Sequence, residues 1–322
     1  MMFLMGESQR RLHVAVIAHD DHHFLKDCLA AVSNHESTVF VSTVPWAGVP
    51  GDCRATTTIA TECGARVVHG EWPDENSHRQ GALALLKAEG VQSCLVLDSD
   101  EILSPQLLDS LMFVARDDFV DVARCEIDTY WKTTSHLIKP PEKLHPVVFV
   151  NPQTVSHSHL RSYLGERTIF LDISFGVLHH LSYIGSDKRI IRKLESTSHR
   201  HEVVPNWWED VWLKWDKDPT IGAIHPTHPP AFCEARRCQI PIELENVDGG
   251  REPHGCPDID FQWPSVSVVI PLYGGSEDLR SCLTGLESCS DILSEVVVVD
   301  DASPDDAASG INEFANVQVV KH

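Results

Sequence analysis

No part of this 322-residue chain approaches the run of about 18 apolar residues that a membrane-spanning helix requires. The opening Met1-Met2-Phe3-Leu4-Met5 is apolar but short, and Glu7 soon interrupts it, so a secretory leader is not expected. Basic residues are scarce: 26 Lys and Arg stand against 47 Asp and Glu, a net charge of −21. No basic stripe can track a nucleic-acid backbone, and strong docking on anionic lipid is excluded, which leaves room only for weak peripheral membrane association. No Cys-x-x-Cys pair occurs among the ten cysteines. The irregular set Cys233, Cys238, His254 and Cys256 is therefore not expected to hold zinc. The cysteines are dispersed, and Cys94 and Cys125 fall in strand-like runs, so reduced thiols in a cytoplasmic protein are the simplest expectation. Glycine is missing after the first apolar run, where His19-Asp20-Asp21-His22-His23 stands. A nucleotidyltransferase or sugar-phosphate enzyme would normally carry a Gly-rich, basic phosphate loop there. Low-complexity tracts and heptads are also lacking.

What the chain does have is an apolar run, Cys94-Leu95-Val96-Leu97, that stops abruptly in Asp98-Ser99-Asp100-Glu101. Four apolar residues without alternation predict a strand covered on both faces. Its carboxyl end is where open α/β sheets place their ligand crevice. Asp98 and Asp100 share a strand face, and two hard oxygens there suit Mg²⁺ or Mn²⁺ bridging a diphosphate. The bland alternative is a solvated acidic turn. The −21 charge makes a metal more necessary, because carboxylates alone would repel a diphosphate.

The flanking pattern is consistent with the first reading. Strands are predicted at Leu12–Ala18, Thr38–Val44 and Ala65–His69, with helices over about His22–Val32, Asp52 to Cys63 and Asn76–Glu89. Together with the Cys94 strand this is β-α-β-α-β-α-β, an α/β fold with a mostly parallel, Rossmann-type central sheet. Val122–Trp131 reads as a further strand on the acceptor side, with Pro140-Pro141 as a turn. There Tyr130 and Trp131 could stack on a sugar or simply pack. Trp207, Trp208, Trp212 and Trp215 recur at helical spacing, and packing is the favoured reading.

These features resemble a family 2 glycosyltransferase with the GT-A fold, in particular bacterial enzymes that glycosylate lipopolysaccharide cores or other surface glycans. The likeness rests on the first strand with Asp20, Gly64–Val68, His78-Arg79-Gln80, Asp98–Glu101, Phe175–Tyr183, and Lys193–His199 followed by Trp207-Trp208. It covers about residues 12–232. A sharper local resemblance begins at Val266: an apolar strand, a helix-like Ser276–Cys289, then Val296–Val299 leading into Asp300-Asp301. This is similar to the opening of a second family 2 domain. The expected organisation is a GT-A domain at 1–232, a proline-rich linker at 233–264, and an incomplete second domain at 265–322.

The resemblance implies an inverting, metal-dependent transferase that moves a sugar from a nucleotide-diphosphate donor, commonly UDP-linked, to a glycan or lipid-linked acceptor. It implies donor contacts from Asp20, Asp52, Arg79, Asp98 and Asp100. Mn²⁺ or Mg²⁺ would be held by Asp98, Asp100 and His180, with His225 and His228 as a second option, although a buried, hydrogen-bonded His180 fits as well. The Glu-Asp pair that usually marks the base is not evident. Asp172, Asp187 and Glu195 are the base candidates, Asp187 and Asp172 nearly level. The alternatives are a glycan-binding or scaffold module with an inactive transferase fold, or a nucleotidyltransferase.

Overall fold

The computed structural model describes residues 12–321 except 20, 21, 47, 117, 118, 198, 248–265, 288–292, 305, 306, 310, 312, 313, 315 and 316. The chain divides into two compact units, 1–257 and 258–322.

The first unit opens with β1 His13–Ala18, α1 Leu25–Ala31, β2 Glu36–Ser42, α2 Cys53–Glu62, β3 Arg66–Gly70, α3 Glu75–Ala88 and β4 Cys94–Asp98. The expected alternation holds, with ends displaced by a few residues. Short side chains set the helix starts. Asp52 accepts from the Ala55 amide to cap α2, and Asp74 with Ser77 forms a capping box on α3. The α3 cap is therefore Asp74 rather than Asn76. β5 Glu101–Leu103, α4 Pro105–Val114, β6 Val122–Cys125, β7 Ile127–Lys139, β8 Val147–Val150, β9 Ser156–His159, β10 Ser162–Leu164, β11 Thr168–Leu171, β12 Leu178–Ile184, α5 Asp187–Ser196 and β13 Glu234–Arg237 follow.

The main sheet runs β11-β6-β8-β4-β1-β2-β3. Its β4-β1-β2-β3 half is parallel throughout, while β8 runs antiparallel to both β4 and β6. Buried Val14, Val16, Val39, Val41, Leu95 and Leu97 on one face pack with α1 and α4 residues. Ala15, Ile17, Phe40 and Val96 on the other pack with Ala82, Leu83 and Leu86 of α3. Apolar residues without alternation are thus covered on both faces, as in a doubly wound sheet. The mixed α/β architecture with a mostly parallel central sheet, expected from the sequence, is present.

A second sheet, β13-β7-β12-β5, bears on the site. β12 pairs antiparallel with β5 and parallel with β7, which sets His180 opposite both Glu101 and Thr129. Behind it lies an aromatic cluster in which Trp131 contacts Trp207, Trp212, Trp215 and Tyr183. Tyr130 and Trp131 are buried, so packing is the correct reading and sugar stacking is not. The strand expected at Val122–Trp131 is broken at Glu126 and continues as β7 to Lys139.

Of the expected linker at 233–264, residues 233–247 carry structure, and 248–264 lie outside the described residues. β13 pairs with β7, Leu244 is buried, and the Glu243 carboxylate accepts from His179 Nε2 at 2.8 Å, while His179 Nδ1 meets the Tyr130 hydroxyl at 3.0 Å. Proline density marked a chain without long elements, but these local contacts fasten its first part to the sheet. His254 and Cys256 of the mock zinc set lie outside the described residues.

The second unit has parallel strands β14 Val266–Leu272, β15 Leu293–Asp300 and β16 Val317–Lys321, with a helix at Ser276–Glu287. Leu279 and Leu283 of that helix, with Leu272, Val296 and Val298, form its core. Asp300 ends β15 and accepts from the Ser303 amide. Among the described residues, no helix is long and apolar enough to cross a membrane.

Candidate active site

A cleft of about 610 Å³ opens at the carboxyl ends of β1 and β4, the place a parallel sheet offers for a ligand. β4 delivers Asp98 and the turn after it Ser99 and Asp100. β12 contributes His180, α2 its cap Asp52, α3 Glu75 and Arg79, and α5 the residues Lys188, Arg189, Arg192 and Lys193. His19 and Trp46 stack face to face at 4.6 Å on the β1–β2 side, and the Trp46 amide donates to His19 Nε2. Gly51 is required beside them, since a Cβ there would lie 2.4 Å from the His19 carbonyl oxygen.

Each acidic residue in the floor is matched by a cation. Arg79 Nη2 donates to both oxygens of Asp98, at 2.7 and 2.9 Å, and its Nε to Glu75 at 2.9 Å. Arg161, carried by the β9–β10 turn, approaches Asp98 at 3.5 Å and pairs with buried Glu101. Burial disfavours the Asp98 carboxylate, but Arg79 and Arg161 hold it ionised at about 2. Asp100 is likewise opposed by burial and held at about 2 by Lys193, His180 and Arg189. Its Oδ2 lies 2.5 Å from Lys193 Nζ and 3.5 Å from Arg189 Nη2. Glu101 goes the other way, because burial raises it despite Arg161. Its second oxygen accepts from the Asp98 amide.

His180 completes the site. Its Nδ1 lies 3.1 Å from the Thr129 hydroxyl, which donates its one proton to the Glu142 carboxylate. A carboxylate only accepts, so Thr129 Oγ1 must in turn accept from Nδ1–H of His180. That chain leaves Nε2 as the lone-pair nitrogen of neutral His180.

The structure thus gathers Asp52, Arg79, Asp98, Asp100 and His180 around one cleft. Asp20 lies outside the described residues. Neither base candidate lines the cleft. Asp172 caps a short turn, accepting from both the amide and hydroxyl of Ser174. Asp187 accepts from Trp212 Nε1 at 2.9 Å. Both carboxylates are tied to local structural work, and Glu195 also stands outside the lining.

The expected metal fares no better on donor chemistry. Asp98 and Asp100 both face guanidinium or ammonium groups, and among the described residues no three His, Cys, Asp or Glu side chains are placed to hold a metal ion. Asp98, Asp100 and His180 therefore do not fit Mn²⁺ or Mg²⁺ in this arrangement. Nor do His225 and His228: His225 packs against Tyr183 and Phe232, and burial with His228, His180 and His199 nearby lowers it to about 4. Sequence reasoning passed over Arg161, Thr129, Glu142 and the cations of α5. Only the last had a readable signal, the i, i+1, i+4, i+5 spacing of Lys188, Arg189, Arg192 and Lys193.

Next to Arg79, His78 is fully buried, stacks on Trp72 at 4.5 Å and donates from Nε2 to the Phe40 carbonyl. Burial, aided by Arg79, depresses it to about 3. The unfolded chain takes up this proton near pH 6.5, whereas the folded one does not until about 3. Stability is therefore full above 6.5 and falls by up to about 1.4 kcal/mol per pH unit as pH drops through that window. Urea midpoints between pH 7 and 4 should decline less steeply for His78→Gln, and equal slopes would remove His78 as the cause.

Comparison with known proteins adds one assignment. Residues 267–322 match the family model for glycosyl transferase family 2. No curated protein matches the chain. Among solved structures, a mycobacterial protein is similar at 20% identity and a TM-score of 0.30, over 37% of this chain and 41% of its own. TarS of S. aureus is similar at 15% identity and a TM-score of 0.28, over 37% and 22%. A TarS 1-349 structure gives 15%, 0.29, 37% and 36%. This chain spans less than half the length of each, and overlaps so slight carry no assignment. The resemblance read at Val266 onward is borne out by the family match.

Proposed function

Starting from residues 267–322 as family 2 glycosyltransferase sequence, we propose that the first unit is a working glycosyltransferase. It would move a sugar from a nucleoside-diphosphate donor, UDP-linked by preference, to a glycan or lipid-linked hydroxyl with inversion. The observation that carries this reading is the cleft at the carboxyl ends of β1 and β4, where His180, its Nδ1 engaged by Thr129, lines a strongly charged floor. His19, Trp46 and Asp52 occupy the β1–β2 side, suited to a nucleoside: an aromatic surface beside a carboxylate that can take ribose hydroxyls.

The step balances with the groups present. The acceptor oxygen forms its bond to the anomeric carbon from the face opposite the diphosphate. The carbon–oxygen bond to the β-phosphate breaks, and its electron pair stays on that phosphate oxygen. The acceptor proton passes to His180 Nε2, and the imidazolium that forms is stabilised through Thr129 by Glu142. Back-side attack inverts configuration. A cytoplasmic setting agrees with the thiols, which are free at all eight described cysteines.

The full chain should hydrolyse or transfer from at least one UDP-sugar in a panel, and UDP should raise its melting temperature. No turnover and no shift with any nucleotide sugar would overturn the reading and leave a glycan-binding module.

A further inference from the structure

We propose that this cleft takes the donor diphosphate without a divalent cation, on the cationic face of α5. The proposal rests on the donor reading above and concerns what neutralises the phosphates. Three observations point the same way.

The first is the state of the acidic pair. A metal bridging a diphosphate needs carboxylate oxygens with lone pairs aimed into the cleft. Asp98 instead accepts at both oxygens from Arg79, whose side chain is only 3% exposed and cannot swing away into water, and at Oδ2 also from Arg161. Asp100 is itself buried and faces Lys193 and Arg189. The carboxylates serve to hold cations, a different task from holding a metal.

The second is the charge balance. The chain as a whole is −21, but the described lining of the cleft is not acidic. Among the described residues, Arg79, Lys188, Arg189, Arg192 and Lys193 line it against Asp52, Glu75, Asp98 and Asp100, five cations to four carboxylates. Among these described residues the repulsion that made a metal necessary on composition alone is offset.

The third is the helix. Lys188, Arg192 and Lys193 project from one face of α5, and its capped start, Ser186, lines the same cleft. The helix dipole adds positive potential at that end. Lys193 can exchange Asp100 for a phosphate oxygen without losing a charged partner, while exposed Lys188 closes on the diphosphate from solvent. As the glycosidic bond breaks, ammonium and guanidinium groups then oppose the charge left on the leaving oxygen.

Calorimetric titration of UDP into the full chain tests this, in EDTA and in Mn²⁺. Binding in EDTA should stay within about threefold of that in Mn²⁺, and Lys188→Ala and Lys193→Gln should each weaken it about tenfold or more, the scale of a lost charge-assisted hydrogen bond. Lys188 is exposed, so its variant stays folded even if the Lys193 change disturbs Asp100. Binding only with Mn²⁺ would overturn the proposal and leave the donor reading intact. Binding in EDTA that neither variant weakens would also overturn it, by moving the phosphates off α5. No binding in either buffer would defeat the donor reading, and this proposal with it.

Discussion

Replacing His180 with alanine should lower kcat for sugar transfer by about 10² to 10⁴, the usual contribution of a positioned general base. KM for the donor should change little, because the donor is held by other groups. The expectation follows from one hydrogen-bond chain. Glu142 accepts from Thr129, Thr129 accepts from His180 Nδ1, and Nε2 is left to receive a proton. Thr129→Val keeps the shape of β7 but cuts the chain. It should lower kcat less than His180→Ala and leave donor affinity in place, since Thr129 only positions the imidazole. Added imidazole should recover part of the activity of His180→Ala. Wild-type kcat in that variant would send the search for the base elsewhere, and Glu142 itself would be the next residue to change.

The second large effect is on stability. Asp98→Ala should destabilise the first unit by about 3 kcal/mol, at the low end for breaking a buried ion pair. Arg79 is almost wholly buried and loses both hydrogen bonds to Asp98, although Glu75 still holds its Nε. Arg161 loses its weaker contact to Asp98 but keeps Glu101 and the carbonyls of Val96 and Val147. Asp98→Asn retains an acceptor for Arg79 and should lie between the two. Urea unfolding of the full chain separates the three proteins. A loss below about 1 kcal/mol for the alanine variant, the range of an exposed pair, would show that Arg79 finds other partners.

How far these groups could be read in advance depends on the distance over which each is encoded. The β1–β4 alternation was legible because β-branched runs, the Asp52 cap and Gly64 act within a few residues. So was the acidic floor, whose residues are adjacent. Residues such as Tyr130 and Trp131 had a readable strand but not a readable face, since β7 is buried without alternation from Thr129 to Ile138. The partners of the floor were hidden. Arg161 reaches Glu101 across 60 residues and Lys193 reaches Asp100 across 93. No periodicity spans such separations; they are created when β12 is laid between β5 and β7 and the β9–β10 hairpin folds over β4. For the same reason Asp172 and Asp187 looked available. Each is an ordinary acidic residue near a helical turn, and only the neighbours Ser174 and Trp212 show that its carboxylate is occupied.

The aromatic cluster behind the second sheet has an optical consequence. Trp131, Trp207, Trp208, Trp212 and Trp215 are five of the chain's eight tryptophans, and all sit in one core with Ile190 of α5. Trp212 is also tied to Asp187 at the first turn of that helix, and the Lys132 ammonium lies 4.2 Å above its ring. Most of the chain's indoles therefore share a core with α5. Any movement of the helix that carries Lys188 and Lys193 changes their surroundings, so the protein comes with its own fluorophore for reporting on the position of α5.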